Sequence, residues 1–179
     1  QQGTLAQGTT TINASANIRI GASGSFTKST NDSLFTIDGN MTYEDEADVN
    51  IGFVQFGPAP DTITLSGSLR TDKFTVGTGD TLVLSGGNLF TGEPGLFIHG
   101  LLNATDNGSD NSTLSISGSW LATGTGDFIP GTSTVRFSGT SGSHNIYASG
   151  AFFNFIVNGT GATYTATGSL DINRNVQLS

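Results

Sequence analysis

Four carboxylates lie within five residues near position 45, and they form the densest group of potential metal ligands in the sequence. Because Ca²⁺ takes six to eight oxygen ligands, this segment is a candidate Ca²⁺ site, with Glu44 and Glu46 as its ligands. The following residues, 47–53, alternate apolar and polar side chains as a half-buried strand does. A row of carboxylates on the solvent face of that strand is the alternative interpretation.

A second candidate Ca²⁺ site is the polar segment 106–111, in which Asp106 and Asp110 could supply carboxylate oxygens. The segment lacks the ordered aspartates and the distal glutamate of an EF-hand loop. A polar turn that carries glycosylation sequons is the alternative interpretation. No cofactor other than Ca²⁺ is predicted.

The residue types that catalysis needs are sparse. The two histidines are His99, in an apolar segment, and His144, in a Ser/Gly turn, and the sequence has no G-x-S-x-G motif. Most aspartates are isolated, whereas glycoside cleavage needs two carboxylates facing each other. We therefore predict that the protein is not an enzyme. A polysaccharide-degrading enzyme is kept as the third hypothesis, because stacked strands could bring distant aspartates together.

Aromatic side chains could instead stack on sugars. The candidates for a glycan-binding surface are the single tryptophan and the three tyrosines: Trp120, Tyr43, Tyr147 and Tyr164. Trp120 follows a glycine at the position that Leu69 and Leu170 occupy in similar segments, which favours packing in the core.

The charge of the chain excludes several partners. Fourteen acidic residues against six basic ones give a net charge of −8, so there is no basic stripe for nucleic acid. No apolar run approaches the roughly 20 residues that span a bilayer. The sequence begins with Gln rather than Met, from which we expect a removed export signal and an extracellular location.

Seven Asn-x-Ser/Thr sequons are candidate N-glycosylation sites, and glycans are therefore a candidate partner. They are Asn13, Asn31, Asn40, Asn103, Asn107, Asn111 and Asn158. The alternative is that Asn and Thr are simply common in β-turns.

The composition indicates an all-β protein. The chain of 179 residues has 26 glycines, 26 threonines and 20 serines, whereas Asp, Glu, Lys and Arg make up 11%. Helical proteins draw on Ala, Leu, Glu, Lys and Arg, of which Glu, Lys and Arg are scarce here. Apolar residues account for 35% of the chain and recur in alternating runs, so the chain can bury a core.

Short apolar segments that end in glycine recur along the chain. From Gly67 to Gly159 these glycines are 14 to 21 residues apart. A strand of about five residues buries too little apolar surface by itself, so such units must stack. The repeat therefore predicts a solenoid, with residues 62–179 as its repeat region.

The C-terminal third carries a more particular pattern, in Gly126-Asp-Phe-Ile-Pro-Gly-Thr-Ser-Thr-Val-Arg-Phe-Ser-Gly139, in His144-Asn-Ile-Tyr147 and in Phe152-Phe-Asn-Phe-Ile-Val-Asn158. Over about residues 113–179, and more loosely from 62, the chain resembles the repeat of bacterial extracellular β-helical surface proteins of the adhesin type. The resemblance implies a parallel β-helix with an adhesive or scaffolding role. It brings no catalytic residue with it.

The two ends of the chain are the candidate subunit interface. Segment 11–20 alternates as a single half-buried strand, which could pair in its own sheet, cap the stack or add to a neighbouring subunit. Residues 169–179 present a second apolar face, interrupted by Arg174. The interface candidates are Ile12, Ala14, Ala16, Ile18, Ile20, Leu170, Ile172, Val176 and Leu178.

Together these patterns predict a flexible segment 1–10 followed by one all-β domain, 11–179, that forms a parallel β-helix of about six to eight turns. The alternative fold is an antiparallel sandwich or jelly roll completed by a donated strand. The predicted function is an extracellular structural subunit that polymerises with itself into a filament, pilus-like fibre or matrix. The alternative is an adhesin or carbohydrate-binding stalk segment.

Overall fold

The computed structural model describes residues 3–30, 33–105 and 112–179. These residues form short strands and no helix. The strands are β1 (Thr4–Ala6), β2 (Ile12–Ala14), β3 (Ile18–Ile20), β4 (Ser25–Thr27), β5 (Leu34–Ile37), β6 (Met41–Asp45), β7 (Phe53–Phe56), β8 (Thr62–Leu65), β9 (Ser68–Val76), β10 (Thr81–Leu84), β11 (Asn88–Ile98), β12 (Leu101–Asn103), β13 (Thr113–Ile116), β14 (Ser119–Ala122), β15 (Asp127–Ile129), β16 (Thr134–Phe137), β17 (Ser143–Tyr147), β18 (Phe152–Val157), β19 (Thr163–Ala166) and β20 (Ile172–Leu178).

All strand pairs in the described part of the chain are parallel. The strands stack as a β-solenoid of about eight turns, which confirms the predicted parallel β-helix. The alternative of an antiparallel sandwich completed by a donated strand is wrong, because each strand pairs with its counterpart in the next turn of the same chain.

Each complete turn passes over three faces. Face A is the six-stranded sheet β3-β6-β8-β10-β12-β15. Face B contains the first halves of β9 and β11, followed by β13, β16, β18 and β20, and face C contains β2, β5, β7, the second halves of β9 and β11, and then β14, β17 and β19. Strands β9 and β11 run without interruption around the corner between faces B and C.

The two-stranded sheet β1-β4 lies at the N-terminal end of face B. Lys28 follows β4 directly and packs beside Gly52, whose carbonyl accepts the N–H of Asp72 in the middle of β9. Lys28 also forms an ion pair with Asp72. These contacts of Lys28 with Gly52 and Asp72 place β4 two turns before β9 on the same face.

The core consists of columns of apolar side chains in register on successive turns. On face B one column runs through the buried residues Leu69, Leu89, Leu114, Val135 and Phe155. Burying each such side chain contributes about 1.5–3 kcal/mol to stability. A single strand carries too few of these side chains to be stable alone. The polar residues between them point outward, as the alternation of strands requires.

Glycine is required where neighbouring turns approach at a corner. A Cβ placed on Gly126 would lie 1.9 Å from the carbonyl oxygen of Ile98 in the preceding turn. At Gly100 it would lie 2.1 Å from the carbonyl oxygen of Gly77. Backbone atoms cannot move aside as a side chain can, so these corners accept no larger residue.

The first 60 residues differ from what their sequence predicted. Segment 11–20 is not a single strand: it forms β2 on face C and β3 on face A, because each face is only a few residues wide and the chain must turn. Residues 4–6, within the segment predicted to be flexible, form β1. The stacked turns therefore begin well before residue 62.

Candidate assembly site

The C-terminal end of the stack exposes two apolar side chains of β20. Val176 is in register with the buried Phe155, and Leu178 with Val157, so both continue inward-facing columns of face B. Their side chains are nevertheless 57% and 74% exposed, respectively. No other strand of the described residues pairs with the outer edge of β20.

A row of polar side chains runs along the outer surface of face B and ends at the same edge. The Asn175 amide donates to Asn154 Oδ1 at 2.8 Å, and the Asn154 amide donates to Thr134 Oγ1 at 3.3 Å. Each bond joins one turn to the next. Side-chain ladders of this kind stabilise parallel, in-register strands.

The N-terminal end of face B is the edge of β1. Leu5 is in register with Phe26 of β4, which packs against the core, and Leu5 itself is 55% exposed. On the outer surface the Thr4 and Ser25 hydroxyls are 2.7 Å apart. The edge therefore repeats the features of β20: a polar outer row and an exposed apolar residue on the inner side.

The side chain of Gln7 holds this first turn in place. Gln7 is buried, and its amide donates to the carbonyl oxygens of Ser33 and Leu34 at 3.1 and 3.0 Å. Its Oε1 accepts the backbone N–H of Ser29 at 3.1 Å. Because these bonds fix the chain just after Ala6, strand β1 has a defined position.

An apolar cleft of about 500 Å³ opens beside β1 at the N-terminal end. Leu5, Phe26, Phe35, Tyr43 and Ile51 are among the residues that line it. Burial raises the pKa of the Tyr43 hydroxyl above its ordinary value, and the nearby Asp45 carboxylate adds to the shift. Arg19, Ser23 and Ser25 also line the cleft, beside these apolar side chains.

The predicted interface residues lie at the two ends of the stack, and most pack against its own core. Ile12, Ala14, Ile18, Ile20, Leu170 and Ile172 are half-buried there. Ala16 is exposed in the corner between β2 and β3 and lies in no strand, which corrects its assignment to a continuous apolar face. Val176 and Leu178 keep large exposed surfaces, and Leu5 joins them although no periodic pattern identified it.

The acidic segment near residue 45 is occupied by contacts within the chain. Arg19 Nε lies 3.2 Å from Glu44 and Arg19 Nη2 lies 2.6 Å from Glu46. The hydrogen bond from Arg19 is the main cause that lowers the pKa of Glu46. Asp45 is buried and accepts the N–H groups of residues 47, 48 and 49.

In the part of the chain that the structure describes, no group of three or more His, Cys, Asp or Glu side chains is placed to hold a metal ion. Glu44 and Glu46, the candidate Ca²⁺ ligands, face Arg19 instead. The other candidates, Asp106 and Asp110, lie outside the described residues.

Stacking brings the distant aspartates Asp61 and Asp80 together. Asp61 and Asp80 are buried at successive turns, and the Asp61 N–H donates to Asp80 Oδ1 at 2.9 Å. Asp61 Oδ2 has no hydrogen-bond partner among the described residues. Burial raises the pKa of the Asp80 carboxyl above its ordinary value, and the negative charge of Asp61 also raises it.

The aromatic residues considered for glycan stacking are mostly in the core. Trp120 and Tyr43 are fully buried, which confirms the predicted packing role of Trp120. Tyr164 is half-buried, and its hydroxyl accepts the Gly139 N–H at 2.7 Å. Tyr147, 44% exposed, presents its ring to solvent from face C.

Four of the seven candidate glycosylation sites lie within the described residues. Asn13 and Asn40 are exposed, whereas Asn103 and Asn158 are half-buried. The remaining candidates, Asn31, Asn107 and Asn111, lie outside the described residues.

Comparison with known proteins adds no relative: no family model, no curated protein and no solved structure matches the chain. Among the described residues there is also no helix of the length and hydropathy that crossing a membrane would need. The fold itself defines the class, a parallel β-solenoid.

Proposed function

We propose that this chain is an extracellular structural subunit that polymerises with copies of itself into a surface filament, pilus-like fibre or matrix. The observation that carries the proposal is the open edge at each end of face B, where β1 and β20 expose Leu5, Val176 and Leu178. The resemblance of residues 113–179 to bacterial surface repeats supports the extracellular location.

The edge strands of faces B and C also lack most of the features that prevent association, whereas the face A edges β3 and β15 contain Arg19 and Asp127. Soluble β-proteins usually protect an edge with charged residues, proline or a covering loop. Strands β1, β2 and β19 contain no charged residue, and β20 contains one, Arg174, whose guanidinium lies 5.4 Å from the ring centre of Phe153. Such edges favour the addition of further strands.

Sedimentation velocity over a range of protein concentrations, with electron microscopy of the concentrated samples, tests the proposal. We expect the mass to rise with concentration from the 18.4 kDa of one chain and fibres to appear with the width of one solenoid. Leu178→Lys should weaken association, because it places a charge on the exposed edge.

Tyr147→Lys is the matched control, since it replaces an exposed aromatic residue on β17, which is paired on both sides. It should leave association unchanged. A single 18.4 kDa species at every concentration would contradict the proposed function.

A further inference from the structure

We infer that the subunits join head to tail, with β20 of one copy pairing in parallel with β1 of the next on face B, and with Leu5 packed on Val176. This inference rests on the proposed function, and it specifies the polarity and the register of the contact. Both strands are edges of the same face, and the second copy is the occupant whose strand direction continues the parallel stack.

The inner side of the junction sets the register. With Leu5 on Val176, the column formed by Val135, Phe155 and Val176 continues into Leu5 and Phe26 of the next copy. The large exposed fractions of Val176 and Leu5 are then removed from water together. Shifting β1 by one residue would place the inward-facing Leu5 against the outward-facing Asn175 or Gln177, because side chains alternate along a strand.

The outer side of the junction agrees with the same register. Thr4 then lies on Asn175, whose amide nitrogen already donates to Asn154 and whose Oδ1 can accept the Thr4 hydroxyl proton. The polar row would run from Thr134 through Asn154 and Asn175 to Thr4 and Ser25. Neither Thr4–Ala6 nor residues 175–178 carry a charge that would oppose the contact.

The junction is weaker than the contact between two turns of one chain. A turn runs from face A to face B to face C, and both β20 and β1 are face B strands. Pairing them leaves a gap between the two copies on faces A and C, and each gap is as wide as one missing strand. We therefore expect reversible, concentration-dependent growth, with the cleft beside β1 lying at the junction.

Single-end variants test the polarity. Leu5→Lys blocks the N-terminal edge and Val176→Lys blocks the C-terminal edge, so each variant alone should stay monomeric in sedimentation velocity. An equimolar mixture should form a heterodimer and nothing larger, because the open β20 edge of Leu5→Lys pairs with the open β1 edge of Val176→Lys and both remaining edges are blocked. Circular dichroism and thermal unfolding check that both variants fold. Tyr147→Lys is the control for assembly and should assemble as the unsubstituted chain does.

Other results would overturn the inference in distinct ways. Dimers of Val176→Lys alone would show a head-to-head contact, and dimers of Leu5→Lys alone a tail-to-tail contact. If both variants assemble as the unsubstituted chain does, the face B edges are not the junction, although self-assembly itself stands. If the unsubstituted chain stays monomeric, the proposed function fails as well.

Cysteine cross-linking tests the register, because the chain has no cysteine of its own. Facing residues on paired strands have Cα atoms close enough for a disulfide. The double variant Thr4→Cys/Asn175→Cys should form disulfide-linked multimers on oxidation, and Thr4→Cys/Gln177→Cys should form at least tenfold fewer. The reverse preference would refute the proposed register.

Discussion

Replacing Trp120 by alanine tests whether the stack depends on continuous columns of core side chains. Trp120 is fully buried, and its ring centre lies 4.9 Å from that of Phe128 and 5.3 Å from that of Phe152. Its in-register neighbours Leu96 and Ile146 are held by strand pairing on both sides. The cavity therefore cannot collapse, and we expect a loss of about 4–5 kcal/mol, the upper part of the usual range for such changes.

Trp120→Phe gives a matched comparison. Trp120 Nε1 has no hydrogen-bond partner among the described residues, so removing this donor offsets part of the packing loss. A buried unpaired donor costs about 1–3 kcal/mol, and we expect Trp120→Phe to lose less than about 2 kcal/mol. Leu121→Ala, on the outward side of the same strand, should lose less than about 1 kcal/mol.

The assay is equilibrium unfolding in urea. Far-UV circular dichroism is its readout, because the Trp120 substitutions remove the single tryptophan that fluorescence would need. A loss of 4–5 kcal/mol corresponds to a decrease of about 10 °C or more in the midpoint of thermal unfolding. If the free energy of unfolding of Trp120→Ala lies within about 1 kcal/mol of that of the unsubstituted chain, the stack does not depend on continuous columns of core side chains.

Two further predictions concern the corners. Gly126→Ala should lose about 3 kcal/mol or more of stability in urea unfolding, because its Cβ would meet the carbonyl oxygen of Ile98. Gly21→Ala is the control: a Cβ there would have no atom within 4 Å, so stability should change by less than about 0.5 kcal/mol. Similar losses for both variants would refute the corner contact. Asp80→Asn should stabilise the chain at pH 7 and lose this advantage in acid. The pKa of Asp80 is raised in the fold, so stability falls as pH rises from the ordinary aspartate pKa through that raised pKa. Unfolding curves from pH 3 to pH 8 check the sign.

The exposed edges at the two ends of the stack were less visible in the sequence than the fold. Val176 and Leu178 could be identified as candidates because they alternate at the end of the last repeat. Leu5 could not, because β1 has three residues and offers no periodic pattern. Thr4 and Asn175 gain their significance only from the register that stacks one turn on the next.

The continuous strand predicted for residues 11–20 shows where hydropathy misleads. Ile12 and Ala14 point into the core from face C, and Ile18 and Ile20 point into it from face A. The alternation keeps its period across the corner, so the pattern cannot reveal the turn. Asn17, within that corner, accepts the Thr42 N–H at 2.9 Å, a contact that only the stacked turns create.

The sequence by itself determined that this chain is an all-β stack. Its apolar stripes are too short to be buried singly and recur at nearly constant spacing, with glycine at the corners. The tertiary structure decided which residues meet, because in a parallel stack each side chain contacts partners about one turn away in the chain. Asp61 with Asp80 is such a pair, and Lys28 reaches Asp72 across two turns; both contacts are set by the register of the strands rather than by any local pattern.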